Sequence, residues 1–204
     1  METSEKKSQA SFTRMDQATK EDFEIIAREG IHFASLLPDR ILAHLKQLDG
    51  SVDGFPVSRF EHCLQMATMC EKAGKDEEYI VCALLHDIGD LLGSFNHADI
   101  AAAILKPVVS EKNHWIVQHH AIFQGYYFFH HLGLDRNMRD QFSDHPYYDA
   151  CVEFCKFDQA AFNPDYPSLP LAHFEPMVRR VFAEPKSSIY LTENGEMPNI
   201  AEQA

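Results

Sequence analysis

From Thr19 to Ala183 the apolar positions recur at helical spacing, and no stretch alternates as a half-buried strand would. Ile25, Ile26, His32, Phe33, Leu36 and Leu37 predict a first helix stopping near Pro38. Asp39 is then placed to cap a second, through Ile41, Leu42, Leu45 and Leu48, with Gly50 ending it. The stretch SVDGFPVS reads as a loop, broken by Gly54 and Pro56. Phe60, Leu64, Ala67 and Cys70 line one face of a third helix, closed by Ala73 and Gly74. Asp76 caps the next, whose body YIVCALLHDIGDLLG is apolar nearly all round, the pattern of a helix at the centre of a bundle.

A short helix, HADIAAAIL, opens at His97 and ends at Pro107; Ser110 caps another running through Trp115 towards Gly125. Pro146 suits the first turn of a helix over DACVEFCKFDQAAF, and PLAHFEPMVRRVF reads as a last helix interrupted or kinked at Pro176. The expected fold class is therefore all-α, with one helical domain over 19–183 between tails 1–18 and 184–204.

Polar residues on the buried faces change this from a generic bundle to a chemical one, because desolvating them is costly unless something pairs with them. His86 and Asp87 fall within the most apolar helix. Neighbours on a helix point about 100° apart, so both reach one site only if it lies in the wedge between them, as a metal pair bridged by a carboxylate would. Asp158 lies on the stripe Cys151, Phe154, Cys155, Asp158, Phe162, and His62 and His120 also face inward. A lone inward histidine is more often hydrogen-bonded to backbone than a ligand; it is the set that points to metal.

The order His62, His86-Asp87, Asp158 resembles the H…HD…D motif of the HD-domain superfamily of metal-dependent phosphohydrolases and oxygenases, over roughly 55–182. With His97 and His120 between, the order is similar to the two-metal branch that includes inositol oxygenases and oxygenases cleaving carbon–phosphorus bonds of hydroxyphosphonates. EFCKFDQ is similar to the last-ligand helix of the former, and FEHCLQMA to the first-ligand segment of the latter. The resemblance implies an HD-domain helical bundle with a dinuclear centre at its middle. It implies two iron ions, mixed-valent Fe(II)/Fe(III), although such ligands also accept other divalent transition metals. His62, His86 and Asp158 would hold one ion, His97 and His120 the other, with Asp87 bridging both and counted as catalytic. His120 is preferred to its neighbour His119 because the following AIFQGYYF aligns better with the family; His119 is expected to orient a ligand or substrate oxygen.

The implied partners are O2 and a small hydroxylated substrate, the sharpest reading being a 1-hydroxy-2-(trimethyl)aminoethylphosphonate whose C–P bond is cleaved. The alternative is a phosphohydrolase acting on a nucleotide or small phosphate ester, and a second rival is a non-catalytic HD-type module. Where the phosphonate-cleaving enzymes carry a lysine and an arginine, this chain has Gln124 and Cys155. Gln124, Tyr126, Asp90 and Arg59 are the expected substrate-binding residues. Lys106, Arg179 and Arg180 are further candidates for the anion, and Asp53 and Glu61 for carboxylate partners. The aromatic run Tyr126–Phe129, with Tyr147 and Tyr148, reads as core packing or as the wall of a pocket for a quaternary ammonium.

Composition narrows the partners. With 31 acidic against 18 basic side chains and a net charge of −13, neither nucleic acid nor an anionic membrane surface is expected. Five cysteines without a CxxC pair read as reduced core thiols, and no signal-like segment opens the chain, so a cytoplasmic monomer or homodimer is expected.

Overall fold

The computed structural model describes residues 9–50 and 54–188, and all regular structure among them is helical. Two compact units are distinguished, one over Ile41–Ser188 and a smaller one to which residues 9–40 belong. None of the helices in the described residues is long and apolar enough to cross a membrane.

In the smaller unit, α1 (Lys20–Ser35) begins at a reciprocal cap. The Thr19 hydroxyl accepts from Asp22 N–H, and the Asp22 carboxylate accepts from Thr19 N–H at 3.0 Å. Helix α1 stops at Ser35, near Pro38 as expected, and Pro38 itself stands in the first turn of α2 (Leu37–Leu45), where a missing N–H costs nothing. Asp39 is consequently inside α2 rather than at its cap, and the chain tightens into a 3-10 turn over Lys46–Leu48.

The larger unit holds α3 (Arg59–Lys72), α4 (Glu77–Leu85), α5 (His97–Leu105), α6 (Glu111–Phe128), α7 (Tyr148–Asp158) and α8 (Leu171–Ala183). Side chains of Ser58, Asp76 and Ser110 accept from the backbone N–H three residues on, and so cap α3, α4 and α6. Gly74 (φ +72°) ends α3 in the left-handed conformation that a side chain resists. Helix α3 packs on α4 and α7, α6 on α5 and α7, and α8 on α4. The core between them includes Met66, Leu84, Leu85, Leu105, Ile116, Phe123, Phe154 and Phe174, all buried. Helix α8 continues through Pro176.

The central apolar segment departs from expectation. Helix α4 ends at Leu85, so His86 and Asp87 stand at its C-terminal end rather than in mid-helix. The Ala83 carbonyl accepts from His86 Nδ1 at 2.8 Å, and the backbone then closes three-residue turns at Ile88→Leu85, Asp90→Asp87 and Leu92→Gly89. All five cysteines are buried free thiols.

Glu78 joins α4 to the start of α6: its carboxylate accepts from Ser110 N–H and Asn113 Nδ2, each at 2.7 Å, and pairs with Lys186. Partial burial works against its charge, but Lys186 and Ser110 outweigh burial and pull its pKa down to about 2 from an ordinary 4.5. A depressed carboxylate stabilises the fold above its unfolded pKa and loses that contribution as pH falls towards the folded value. Glu78→Gln is therefore expected to cost about 1–3 kcal/mol at neutral pH. Denaturant titrations should find that cost shrinking below pH 4.5 and vanishing near pH 2.

Candidate metal centre

Three helix ends bring the first group together. His62 lies in the first turn of α3, His86 directly after α4 and Asp158 at the last residue of α7, all buried. His62 Nε2 stands 3.1 Å from His86 Nε2 and 3.2 Å from Asp158 Oδ1; His86 Nε2 is 3.8 Å from the same oxygen. Asp87 Oδ2 closes the group at 3.4 Å from His86 Nε2 and 3.6 Å from His62 Nε2.

The second group lies on the other oxygen of the same carboxylate. Asp87 Oδ1 is 3.4 Å from both His97 Nε2, at the start of α5, and His120 Nε2, in the middle of α6. Those two nitrogens are 3.3 Å apart. One carboxylate thus faces two pairs of imidazoles, one pair through each oxygen, with Asp158 added to the first.

Hydrogen bonds set the tautomers of three of the four rings. His62 Nδ1–H donates to Ala161 O (2.9 Å), His86 Nδ1–H to Ala83 O (2.8 Å) and His120 Nδ1–H to Val117 O (2.7 Å). A neutral ring that donates from Nδ1 presents a lone pair at Nε2, the form in which histidine ligates metals. With both rings neutral, His62 and His86 would aim two lone pairs at each other across 3.1 Å, a contact that a proton on His62 shared with Asp158, or a metal ion, would relieve. Burial pushes the His86 pKa down to about 4, only partly offset by Asp87 and Asp158, so this ring is neutral. Burial also opposes charge on His62, but its hydrogen bond to and the charge of Asp158 raise its pKa; Asp87 does the same for His120. The surrounding imidazoles outweigh burial at Asp87 and Asp158 and keep both carboxylates ionised. Four imidazoles and two carboxylates make a nitrogen–oxygen donor set that suits iron, manganese or zinc. Both His62–His86–Asp158 and His86–Asp87–His120 have ligand atoms close enough to share an ion.

A cavity of about 400 Å3 opens onto the centre, lined on one side by Asp87, His97, His120 and Asp158 and on the other by Phe55, Tyr127, Phe128 and Phe162. Arg59 and Gln124 also line it. Arg59 reads in the sequence as an anion-binding candidate or a surface charge. Here its guanidinium lies over the Phe55 ring, reaches Asp87 Oδ2 at 3.4 Å and donates to Asp90 Oδ2 at 3.2 Å. Asp90 is thereby taken up by Arg59, with His97 Nδ1 at 3.8 Å, and is not part of the cavity lining. Gln124 Oε1 is buried without a hydrogen-bond partner among the described residues.

His119 is not brought to the centre. It follows the wedge argument that sets neighbouring residues about 100° apart: its Nδ1–H donates to Trp115 O, and its ring stacks on Trp115 at 4.1 Å. His145 also stacks on Trp115, with ring centroids 4.0 Å apart. Tyr126 is turned from the cavity as well, beneath the guanidinium groups of Arg136 and Arg139, and its neighbour Tyr127 takes the lining position. Glu61 accepts from Ser168 Oγ at 2.5 Å, and Arg180 pairs with Glu77 at 2.7 Å, both away from the centre. Lys106 and Arg179 are not among the lining residues, and Asp53 lies outside the described residues. Tyr147 and Tyr148 pack in the aromatic cluster around Trp115 and Phe123. Phe162 could have been found in the sequence, standing four residues after Asp158 on the same stripe. Its ring stacks on His62 at 4.4 Å. Phe55 had no such signal, since it lies in the loop before α3.

Comparison with known proteins finds two likenesses. Residues 59–147 match the HD domain family model. Over 158 residues the chain is 29% identical to a protein of Leisingera caerulea named [1-hydroxy-2-(trimethylamino)ethyl]phosphonate dioxygenase (glycine-betaine-forming). The match covers 63% of this chain and 81% of that relative.

Proposed function

We propose that this HD-domain chain is a non-haem di-iron oxygenase that uses O2 to cleave a small hydroxylated substrate, at its sharpest the C–P bond of a 1-hydroxy-2-(trimethylammonio)ethylphosphonate. The observation that carries the reading is the two-sided use of Asp87, with one imidazole pair at each of its oxygens. On this reading His62, His86 and Asp158 hold one iron, His97 and His120 the other, and Asp87 bridges them. The bound irons would supply the electrons for O2 activation and a Lewis acid for the substrate hydroxyl.

The chain's own residues do the rest. Arg59 sets a positive charge against Asp87 and Asp90, which limits the negative charge gathered around the centre. Phe55, Phe162, Tyr127 and Phe128 give the cavity an apolar wall and offer π faces to a cationic headgroup. Gln124, its amide oxygen without a partner, is placed to orient a polar group of the substrate. The 29% identity to the Leisingera caerulea dioxygenase supports the same chemistry and leaves the substrate to experiment.

Oxygen uptake by iron-loaded protein tests the reading. Loss of the trimethylammonium hydroxyphosphonate should be coupled to O2 consumption and should stop without air. Exchanging the trimethylammonium for a primary ammonium should slow turnover roughly 3- to 30-fold, the range a desolvated cation–π contact supports. Phosphate-ester hydrolysis at full rate under anaerobic conditions would overturn the oxygenase in favour of a phosphohydrolase.

A further inference from the structure

Outside the metal centre, two neighbouring arginines share one aromatic ring and reach no carboxylate among the described residues. The guanidinium of Arg139 lies 3.6 Å from the centroid of the Tyr126 ring and that of Arg136 lies 4.2 Å from the same centroid. Two positive charges are thus gathered on one ring, and both Nε atoms are buried without a hydrogen-bond partner among the described residues. Arg14, Arg28, Arg59 and Arg180, by contrast, each reach a carboxylate. The acidic groups beside the pair are engaged elsewhere: Asp140 accepts from the Tyr148 hydroxyl and Asp135 from Asn137 N–H. In a chain of net charge −13, two arginines on one ring with no carboxylate contact among the described residues are an unmet demand for an anion.

We propose that Arg136, Arg139 and the Tyr126 phenol form a binding site for a doubly charged phosphorus oxyanion, separate from the metal-centre cavity. The ring lies beside both guanidinium groups and their Nε atoms are buried, so the terminal N–H groups are the ones through which the pair would meet a tetrahedral oxyanion, by the paired hydrogen bonds that arginine makes to such groups. The ring of Tyr126 meets that of Tyr127 edge-on at 5.5 Å, and Tyr127 lines the cavity. An anion at the pair therefore sits one aromatic ring behind the cavity wall. The positive charge of Arg139 also acts on Tyr127 and Cys155, consistent with that placement.

Free phosphate and the phosphonate end of an organic molecule share the chemistry that such a site recognises, so both serve as probes. Equilibrium dialysis of the full chain after chelation, when no metal ion can hold an anion, should find one saturable site for inorganic phosphate or for 2-(trimethylammonio)ethylphosphonate. The tighter of the two names the source. Arg139→Gln and Arg136→Gln should each weaken binding about tenfold or more, the loss of one charge-assisted contact, and Arg139→Lys should weaken it less. Because a variant can fail to fold, phenylglyoxal labelling of the unaltered protein gives a second measurement, in which the bound probe should protect Arg136 and Arg139. Absence of saturable binding of either probe, undiminished binding in the double variant, or labelling unaffected by the probe would overturn the site. None of these results depends on oxygen uptake, so the metal-centre reading stands or falls separately.

Discussion

Asp87→Ala is expected to empty both halves of the centre and abolish turnover. Asp87 Oδ2 approaches His62 and His86 at 3.6 and 3.4 Å, and Oδ1 stands 3.4 Å from His97 and from His120. No other side chain of the group faces both imidazole pairs in this way. Its loss leaves four neutral nitrogens to hold two cations with the charge of Asp158 alone. Removing an outer partner of a metal ligand costs 10–100-fold in affinity or activity, so loss of the bridging ligand itself should exceed about 100-fold. Metal content by elemental analysis should fall from two ions per chain to one or none, alongside oxygen-uptake rates. Arg59 would lose a partner at the same time, so Asp87→Asn, which keeps the volume, is the better control for folding. Two ions per chain and wild-type turnover in both variants would remove Asp87 from the centre.

Gly89→Ala is expected to separate the two metal positions. A Cβ at Gly89 would stand 2.4 Å from the carbonyl oxygen of His97 and 2.7 Å from Ile100 Cβ. The first of these is backbone, so the clash cannot be relieved by turning a side chain; α5 must shift, and His97 with it. His62, His86 and Asp158 come from α3, α7 and the end of α4 and do not depend on that contact. The variant should therefore bind one ion where the parent binds two. Overpacking of this kind costs typically about 1–3 kcal/mol in stability. A displacement near 1 Å at a reacting centre costs on the order of 100-fold in rate. Metal stoichiometry together with a denaturant midpoint distinguishes this outcome from simple unfolding, in which both ions are lost. Two retained ions at full activity would mean that α5 absorbs the strain without moving His97.

Much of the frame was legible because its signals are local. Asp76 and Ser110 read as caps at the starts of periodic stretches, and each caps a helix. The candidate ligand residues were legible for a related reason, since a buried histidine or aspartate violates the pattern around it. What escaped were features decided by distant contacts. The end of α4 at Leu85 is invisible in a run as apolar as YIVCALLHDIGDLLG, because His86 and the approach of α5 to Gly89 close the helix there. Arg59 resembles a surface charge until Asp87 and Asp90 come within reach from 28 and 31 residues away. The direction of Tyr126 against Tyr127 turns on Arg136 and Arg139, which lie in a segment without periodicity. His119 and His120 are adjacent letters, separated only when the turn of α6 sends one to Trp115 and the other to Asp87.

The five buried thiols bear on how the proposed oxygen chemistry could be tolerated. Burial pushes the thiol of Cys70 up to about 12 and those of Cys63, Cys82 and Cys155 well above their ordinary value. Oxidants attack the thiolate, and near neutral pH these sulfurs are almost wholly protonated. Cys155 also donates weakly to the carbonyl of His120. Four of the five buried sulfurs are thereby kept in the protonated form that oxidants attack least, as an oxygenase centre nearby would require.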